Sequence, residues 1–410
     1  GRRIFLRGTN YIGTQWLAEM NAERYGFDLG LMKQANINGV RVHAHVAARE
    51  FYRRCDEMGM LVWQDFPLQW GYVDDPEFYR EAERQAKDMI HLLYNHPSVI
   101  AWSLHNEPPW DATWMQYKYR HYNPEQNRAL DERLYRVLQG MDSTRYLHKY
   151  SATGEHPWYG WYSGHWKDYA RPTHQPLITE FGAQALPDLP SLQKIFTGEA
   201  LWPDTEEKWQ EWEYHNFQRR ETFEIAGVPM GNGIEEFIRN TQEYQARLIQ
   251  YAAESYRRQR YRPVAAIFQF MFVEDWPSVN WGIVDYWRNP KPGYQALRIA
   301  YQPVLPGIEW DRQRWEPGET VKLHFWVIND LPKAFPDARL SWTLRQGESI
   351  RETQTVTLSI PPDSGRRVVE WKQKGLASGE YRLQVRLEEA RGEVLGTNEF
   401  RFTVGQPAIQ

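Results

Sequence analysis

Residues 39–67 read GVRVHAHVAAREFYRRCDEMGMLVWQDFP. Two apolar runs, GVRVHAH (39–45) and LVWQDFP (61–67), flank AAREFYRRCDEMG, whose apolar residues recur at helical spacing. Gly59 stands just past the last helical residues, where a C-terminal cap belongs. Strand, helix and strand at this spacing predict a parallel sheet with helical crossovers. The runs are too continuously apolar to leave one face wet, so the strands are expected to be buried on both sides.

The same alternation extends in both directions. IFLRGTNY (4–11) precedes as a strand and GFDLGLMKQANI (26–37) as a helix; a longer helix is predicted from Pro76 to Tyr94. Further strands are predicted at SVIAWSLHNEP (98–108), YLHKYSA (146–152), QPLITEFGA (175–183) and VAAIFQFMF (264–272), with a poorly marked one around Tyr159–Trp166. About eight strands over residues 1–301 fit a (β/α)8 TIM barrel better than an open sheet. Residues 187–262 read mainly as helix, and the arginines at its end (Arg257, Arg258, Arg260, Arg262) are expected on a solvated face. From residue 302 to 410 the pattern changes to short alternating segments (ETVKLHFWVIND, ARLSWTLRQ, RRVVEWKQ, EYRLQVRLEE, NEFRFTV), which predict a C-terminal β-sandwich.

Composition narrows the functional classes. Among 410 residues, 49 are basic and 53 acidic, for a net charge of −4, so nothing favours a nucleic-acid partner. No apolar stretch is long enough for a membrane span. A single cysteine, Cys55, excludes an internal disulfide and a multi-cysteine metal cluster. The aromatic share is high, at 15% with 20 Trp, and flat rings both pack in cores and stack on sugar faces. The chain begins Gly-Arg-Arg-Ile without Met or a signal peptide. We therefore expect an incomplete N-terminus and, with one cysteine, a cytoplasmic location.

In a barrel the reactive groups sit where strands end. Glu107 ends SVIAWSLHNEP and Glu180 ends PLITEFG, costly places for an acid unless it is paired or used. Two acids at one barrel mouth suit glycoside hydrolysis, in which one protonates the departing oxygen and the other attacks the anomeric carbon or activates water. His43 and His45 are the competing signal. His-x-His on a strand can begin a metal site, but His105 and His148 do not close the pattern, so no metal and no cofactor are expected.

HPSVIAWSLHNEPPW (96–110) resembles the acid/base strand of glycoside hydrolase family 2, and QPLITEFGAQALPDLPSL (175–192) resembles its nucleophile strand. FLRGTNYI, NINGVRVHAHV, GMLVWQDFP, EEFIRNTQEYQ, RYRPVAAIFQFMFVEDWPSVNWGIVDY and NPKPGYQAL extend the likeness along the chain. WQDF and FVEDWPSVNWGIVDY look most like the β-mannosidase branch, while Pro108 after Asn106-Glu107 is more like galactosidase and glucuronidase relatives. The resemblance implies an immunoglobulin-like fold for the sandwich and a retaining mechanism, with Glu107 as acid/base and Glu180 as nucleophile. It implies Asn106 as donor to the sugar 2-hydroxyl, Arg41 beside the nucleophile, and Trp276 as a platform under the sugar, its loop held by Asp275. Asp65 is expected to contact a sugar hydroxyl or cap a helix; Tyr150, Trp63 and His45 are further substrate-contact candidates. Asn289-x-Lys291 resembles a glucuronidase carboxylate clamp but lies in the family's common Pro-Lys turn, which points to a structural role.

The expected activity is exo-hydrolysis of a terminal β-mannoside, with β-galactoside or β-glucuronide behind it. A metal-dependent amidohydrolase-type barrel and a non-catalytic carbohydrate-binding barrel are the alternatives. Relatives carry a sugar-binding jelly roll and an immunoglobulin-like domain before the barrel. We expect those missing N-terminal domains, or a homo-oligomer, to complete the protein.

Overall fold

Strands β1 (Leu6–Tyr11), β2 (Gly39–Val42), β3 (Leu61–Asp65), β4 (Val99–Ser103), β5 (Tyr146–His148), β6 (Leu177–Phe181) and β7 (Ala266–Gln269) form one parallel sheet. The computed structural model describes residues 1–405. Strand order is β5-β4-β3-β2-β1-β7-β6, so the sheet curls and its two ends meet across the barrel. Glu155 joins those ends through side chains: its carboxylate lies 3.1 Å from His148 on β5 and accepts the Thr179 hydroxyl of β6 at 3.1 Å. The strand expected around Tyr159–Trp166 is not formed. That stretch holds one isolated bridge, Tyr159 to Ser163, because Trp158, Gly160 and Gly164 turn the backbone with φ of +46°, +77° and +59°.

Helices α1 (Ala22–Gln34), α2 (Arg49–Met58), α3 (Pro76–Leu93) and α4 (Arg128–Gln139) pack outside the sheet, and each boundary has a local cause. Asn21 accepts the Arg24 amide at 3.0 Å to open α1; Asp75, followed by Pro76, accepts two amides to open α3. Gly59 closes α2 with φ +64°, in the cap conformation expected of it. The mainly helical stretch becomes α5 (Leu189–Ile195), α6 (Glu206–Tyr214) and α7 (Ile234–Arg258), and α8 (Pro292–Ala300) ends the barrel. Inside, Trp63, Ala101, Ala266 and Phe268 plug the lower barrel. Gly8 makes room for that plug, since a Cβ there would sit 2.2 Å from the Phe268 ring.

Strands β8 (Val304–Glu309), β9 (Arg314–Trp315), β10 (Thr320–Asn329), β11 (Phe335–Gln346), β12 (Ser349–Ile360), β13 (Ser364–Lys374), β14 (Gly379–Glu388) and β15 (Val394–Val404) form the sandwich. Its sheets run β13-β10-β8 and β12-β11-β14-β15-β9 over a core that includes Phe325, Trp342, Trp371 and Phe402. The arginines expected on a solvated face are a correction. Arg257 is fully buried and donates to Asp330 at 2.8 Å, and Arg260 meets Asp330 at 3.3 Å and Asp363 at 2.5 Å. Arg7 of β1 also pairs with Asp330, so this cluster joins barrel to sandwich; only Arg262 is exposed. Among the described residues no helix is long and apolar enough to cross a membrane.

Candidate active site

Sequence alternation would send Asn106 and Glu107 to opposite faces. The chain avoids this after β4. Asn106 still bridges Gln69 and Ser151 on the neighbouring segments, but Glu107 adopts φ +48° and turns its carboxylate into the barrel mouth. There Glu107 Oε2 accepts the Trp70 indole N–H at 3.1 Å, and Oε1 lies 2.8 Å from His156 Nδ1.

Glu180, near the end of β6, is buried. Its Oε1 accepts Arg41 Nη1 at 3.0 Å and lies 3.3 Å from His43 Nε2; its Oε2 accepts the Trp158 indole N–H at 3.3 Å. Burial pushes the Glu180 carboxyl up, but His156, His43 and Arg41 outweigh it and hold the group well below the usual carboxylate range. An oxygen of Glu107, an oxygen of Glu180 and a ring nitrogen of His156 all lie within 4.8 Å of one another. Carboxylate oxygens this close are compatible with the roughly 5–5.5 Å between carboxyls of retaining glycosidases and closer than the roughly 6.5–9.5 Å that an inverting water needs.

Arg41 is the hub. Besides Glu180, its guanidinium donates to Asp65 at 3.2 and 2.9 Å, Asn106 Oδ1 at 2.7 Å, Ser151 at 3.2 Å and Asn10 at 3.2 Å. Asp65 spends both oxygens on Arg41 and the Ala44 amide, so it is a buried counter-ion below the site, not an open sugar contact or a helix cap.

Four further candidates fall outside this cluster. Trp63 belongs to the lower plug, and Tyr150 packs edge-on against Trp110 at 4.3 Å. His45 turns away because Ala44, with φ +51°, breaks the alternation; its Nδ1 lies 3.0 Å from the His43 carbonyl oxygen. Trp276 stacks on His215, ring centroids 5.1 Å apart, on a loop that Asp275 ties to Gln15. His43 and His45 therefore do not converge as metal ligands, and His105 and His148 are engaged by Asp131 and Glu155. Lys291 is buried on Glu274 and the Ala185 carbonyl, as a structural residue would be. Sequence reasoning missed His156, Trp158 and Trp70, which lie in irregular segments where periodicity is silent, and read His43 only as a metal ligand.

The model of glycosyl hydrolases family 2, TIM barrel domain, matches residues 2–305, and the chain belongs to that family. Beta-mannosidase B of Aspergillus niger is 27% identical over 81% of this chain and 44% of its own length; that of Emericella nidulans is also 27% identical, over the same shares. The chain thus spans less than half the length of these curated relatives. Among solved structures, a beta-D-mannosidase from Dictyoglomus thermophilum matches 98% of this chain and 50% of its own with a TM-score of 0.81 at 23% identity. An exo-chitosanase from Amycolatopsis orientalis matches 98% of this chain and 49% of its own with a TM-score of 0.75 at 16% identity.

Proposed function

We propose that the chain is the catalytic barrel of a retaining exo-β-glycosidase acting on terminal β-mannosides. The close pair of Glu107 and Glu180, one of them held ionised, carries this reading. The family and the β-mannosidase names of the similar proteins support the substrate. Glu180 attacks the anomeric carbon while Glu107 protonates the departing oxygen; water then enters with Glu107 as base and releases the sugar. Asn106 commits its carbonyl to Arg41, which leaves its amide nitrogen to donate to the sugar 2-hydroxyl. A glucuronide fits less well, because Lys291 and Asn289 already serve Glu274 and Asp285.

The test is nitrophenol release from a panel of aryl β-glycosides, with Glu180→Ala beside the wild type. Turnover of the mannoside that disappears in the variant is expected. A different preferred sugar would refute the substrate, and turnover surviving in Glu180→Ala would refute the nucleophile. Glu107→Gln should lower kcat/KM about 10²–10⁴-fold with a poor leaving group and much less with nitrophenol, which departs without a proton.

A further inference from the structure

The barrel's buried histidines are not alike. His105 places Nδ1 2.7 Å from Asp131 and Nε2 2.7 Å from the Trp70 carbonyl oxygen. His148 meets the Tyr146 hydroxyl at 3.1 Å with one ring nitrogen and Glu155 at 3.1 Å with the other. In both, fixed partners on the two nitrogens hold the ring and set its tautomer. His156 has no such anchor. Its Nδ1 lies 2.8 Å from Glu107 Oε1 and 3.7 Å from Glu180 Oε2, while its Nε2 is buried with no protein partner. Its polar neighbours are therefore the two carboxylates to which the chemistry was assigned above. The turn that carries it, directly after Glu155, comes just past β5 and brings the ring to Glu107 after β4 and Glu180 on β6.

We propose that His156 is a positioning residue that shares one proton with Glu107 and lends its positive charge to Glu180, so that the three groups titrate as a unit. This rests on the roles proposed for Glu107 and Glu180. In the resting form the proton sits on Nδ1, and Glu107 is a carboxylate beside an imidazolium. In the reactive form the same proton sits on Glu107 Oε1, and the bare Nδ1 accepts its hydrogen bond. Glu107 gives that proton to the leaving oxygen as the glycosidic C–O bond breaks and a Glu180 oxygen bonds the anomeric carbon. Water then loses a proton to Glu107 while its oxygen replaces Glu180, and the pair is restored.

The charges around the ring are compatible with this. Burial works against a charged imidazole, but Glu180 and Glu107 together outweigh it and raise the His156 pKa, with Arg41 opposing them. His43 meets Glu180 through the other oxygen, and Lys118 is the further cation whose charge reaches Glu107.

A coupled pair loses its last proton at a higher pH than a lone carboxylate would. Sharing therefore sets the alkaline limb of kcat/KM above the value for Glu107 alone. In the resting form the imidazolium keeps Glu180 ionised and so sets the acid limb lower. The test is His156→Asn, whose amide can replace Nδ1 as a donor but cannot take up a proton. We expect the pH profile to narrow by about one unit on each side. At the optimum, kcat/KM should fall about 10–100-fold, below the full contribution of a general acid. A uniform drop with unmoved limbs would mean a purely structural ring and overturn the proposal. His156→Gln, screened for folding by thermal melting, provides a second variant.

Ring ¹⁵N shifts of histidine-labelled protein, with the His156 signal assigned by its loss in His156→Asn, read the same proton without turnover. A titration that moves when Glu107→Gln is introduced supports sharing; a ring that stays neutral from pH 5 to 8 overturns it. If no aryl glycoside reacts, the proposed function fails, and the shifts still decide the sharing.

Discussion

Arg41 holds two carboxylates from a position with no solvent exposure, and with His156 and His43 it is one of the groups that keep Glu180 charged. Its planar fork spans Asp65 and Glu180 while also donating to Asn106, a geometry that a compact ammonium cannot reproduce. Arg41→Lys should therefore fold but lose activity, with KM changing less than kcat, as measured on the best aryl glycoside. Arg41→Met leaves buried acids uncompensated, and we expect about 3–5 kcal/mol of lost stability in urea titrations. The sign of the pH effect follows from Glu180. Its folded pKa is depressed from an ordinary value of 4.5, so its stabilising contribution is complete above that pH and fades as pH falls further. In Arg41→Met the acid limb of turnover should move up by about one to three units. An unmoved acid limb would show that His43 and His156 suffice to keep Glu180 charged.

At the level of elements, the site is made by the places where strands stop being regular. Glu107 is a non-glycine residue at φ +48°, a conformation that costs roughly 1–2 kcal/mol for a residue with a Cβ. Glu107→Gly and Glu107→Ala should lose the acid/base function alike, yet the glycine variant should be the more stable by about 1 kcal/mol, readable as a higher melting temperature. Gly182, just past β6, constrains Glu180 differently. A Cβ there would lie 2.2 Å from the Phe270 carbonyl oxygen, so Gly182→Ala must part the ends of β6 and β7. We expect it to lower both the melting temperature and kcat, and a variant with wild-type kcat would show that Glu180 does not depend on that close approach.

The strand ends were legible in the sequence because SVIAWSLHNEP and PLITEFG each drive an acid to the end of a buried run. The turn at Glu107 was legible only as a requirement, since alternation alone would have sent Asn106 and Glu107 apart. His156 and Trp158 were not legible: the stretch that carries them is shaped by Gly160 and Gly164 and by packing such as Trp158 on Phe270, which leave no period to read.

Over the whole molecule, the two layers of chemistry lie at opposite ends of the barrel. The Glu107–Glu180 pair sits at the C-terminal ends of β4 and β6, while the start of β1 and the end of α7 are bound to the sandwich through Asp330. The arginine run could be read from sequence as solvated because its partner lies more than sixty residues away in the other domain, outside any local pattern. Burial raises the Asp330 carboxyl and Arg257, Arg7 and Arg260 lower it, with a net depression, so the joint keeps its charge across neutral and mildly acidic pH and weakens only below the ordinary carboxylate range. Asp330→Asn preserves shape but leaves buried arginines facing a neutral amide, which should cost about 3–5 kcal/mol. Because none of these groups touches Glu107 or Glu180, kcat/KM at 25 °C should stay near wild type while the urea midpoint falls and the transition splits or broadens. Loss of activity in step with stability would mean instead that the sandwich, through β1 and α7, sets the geometry of the barrel mouth.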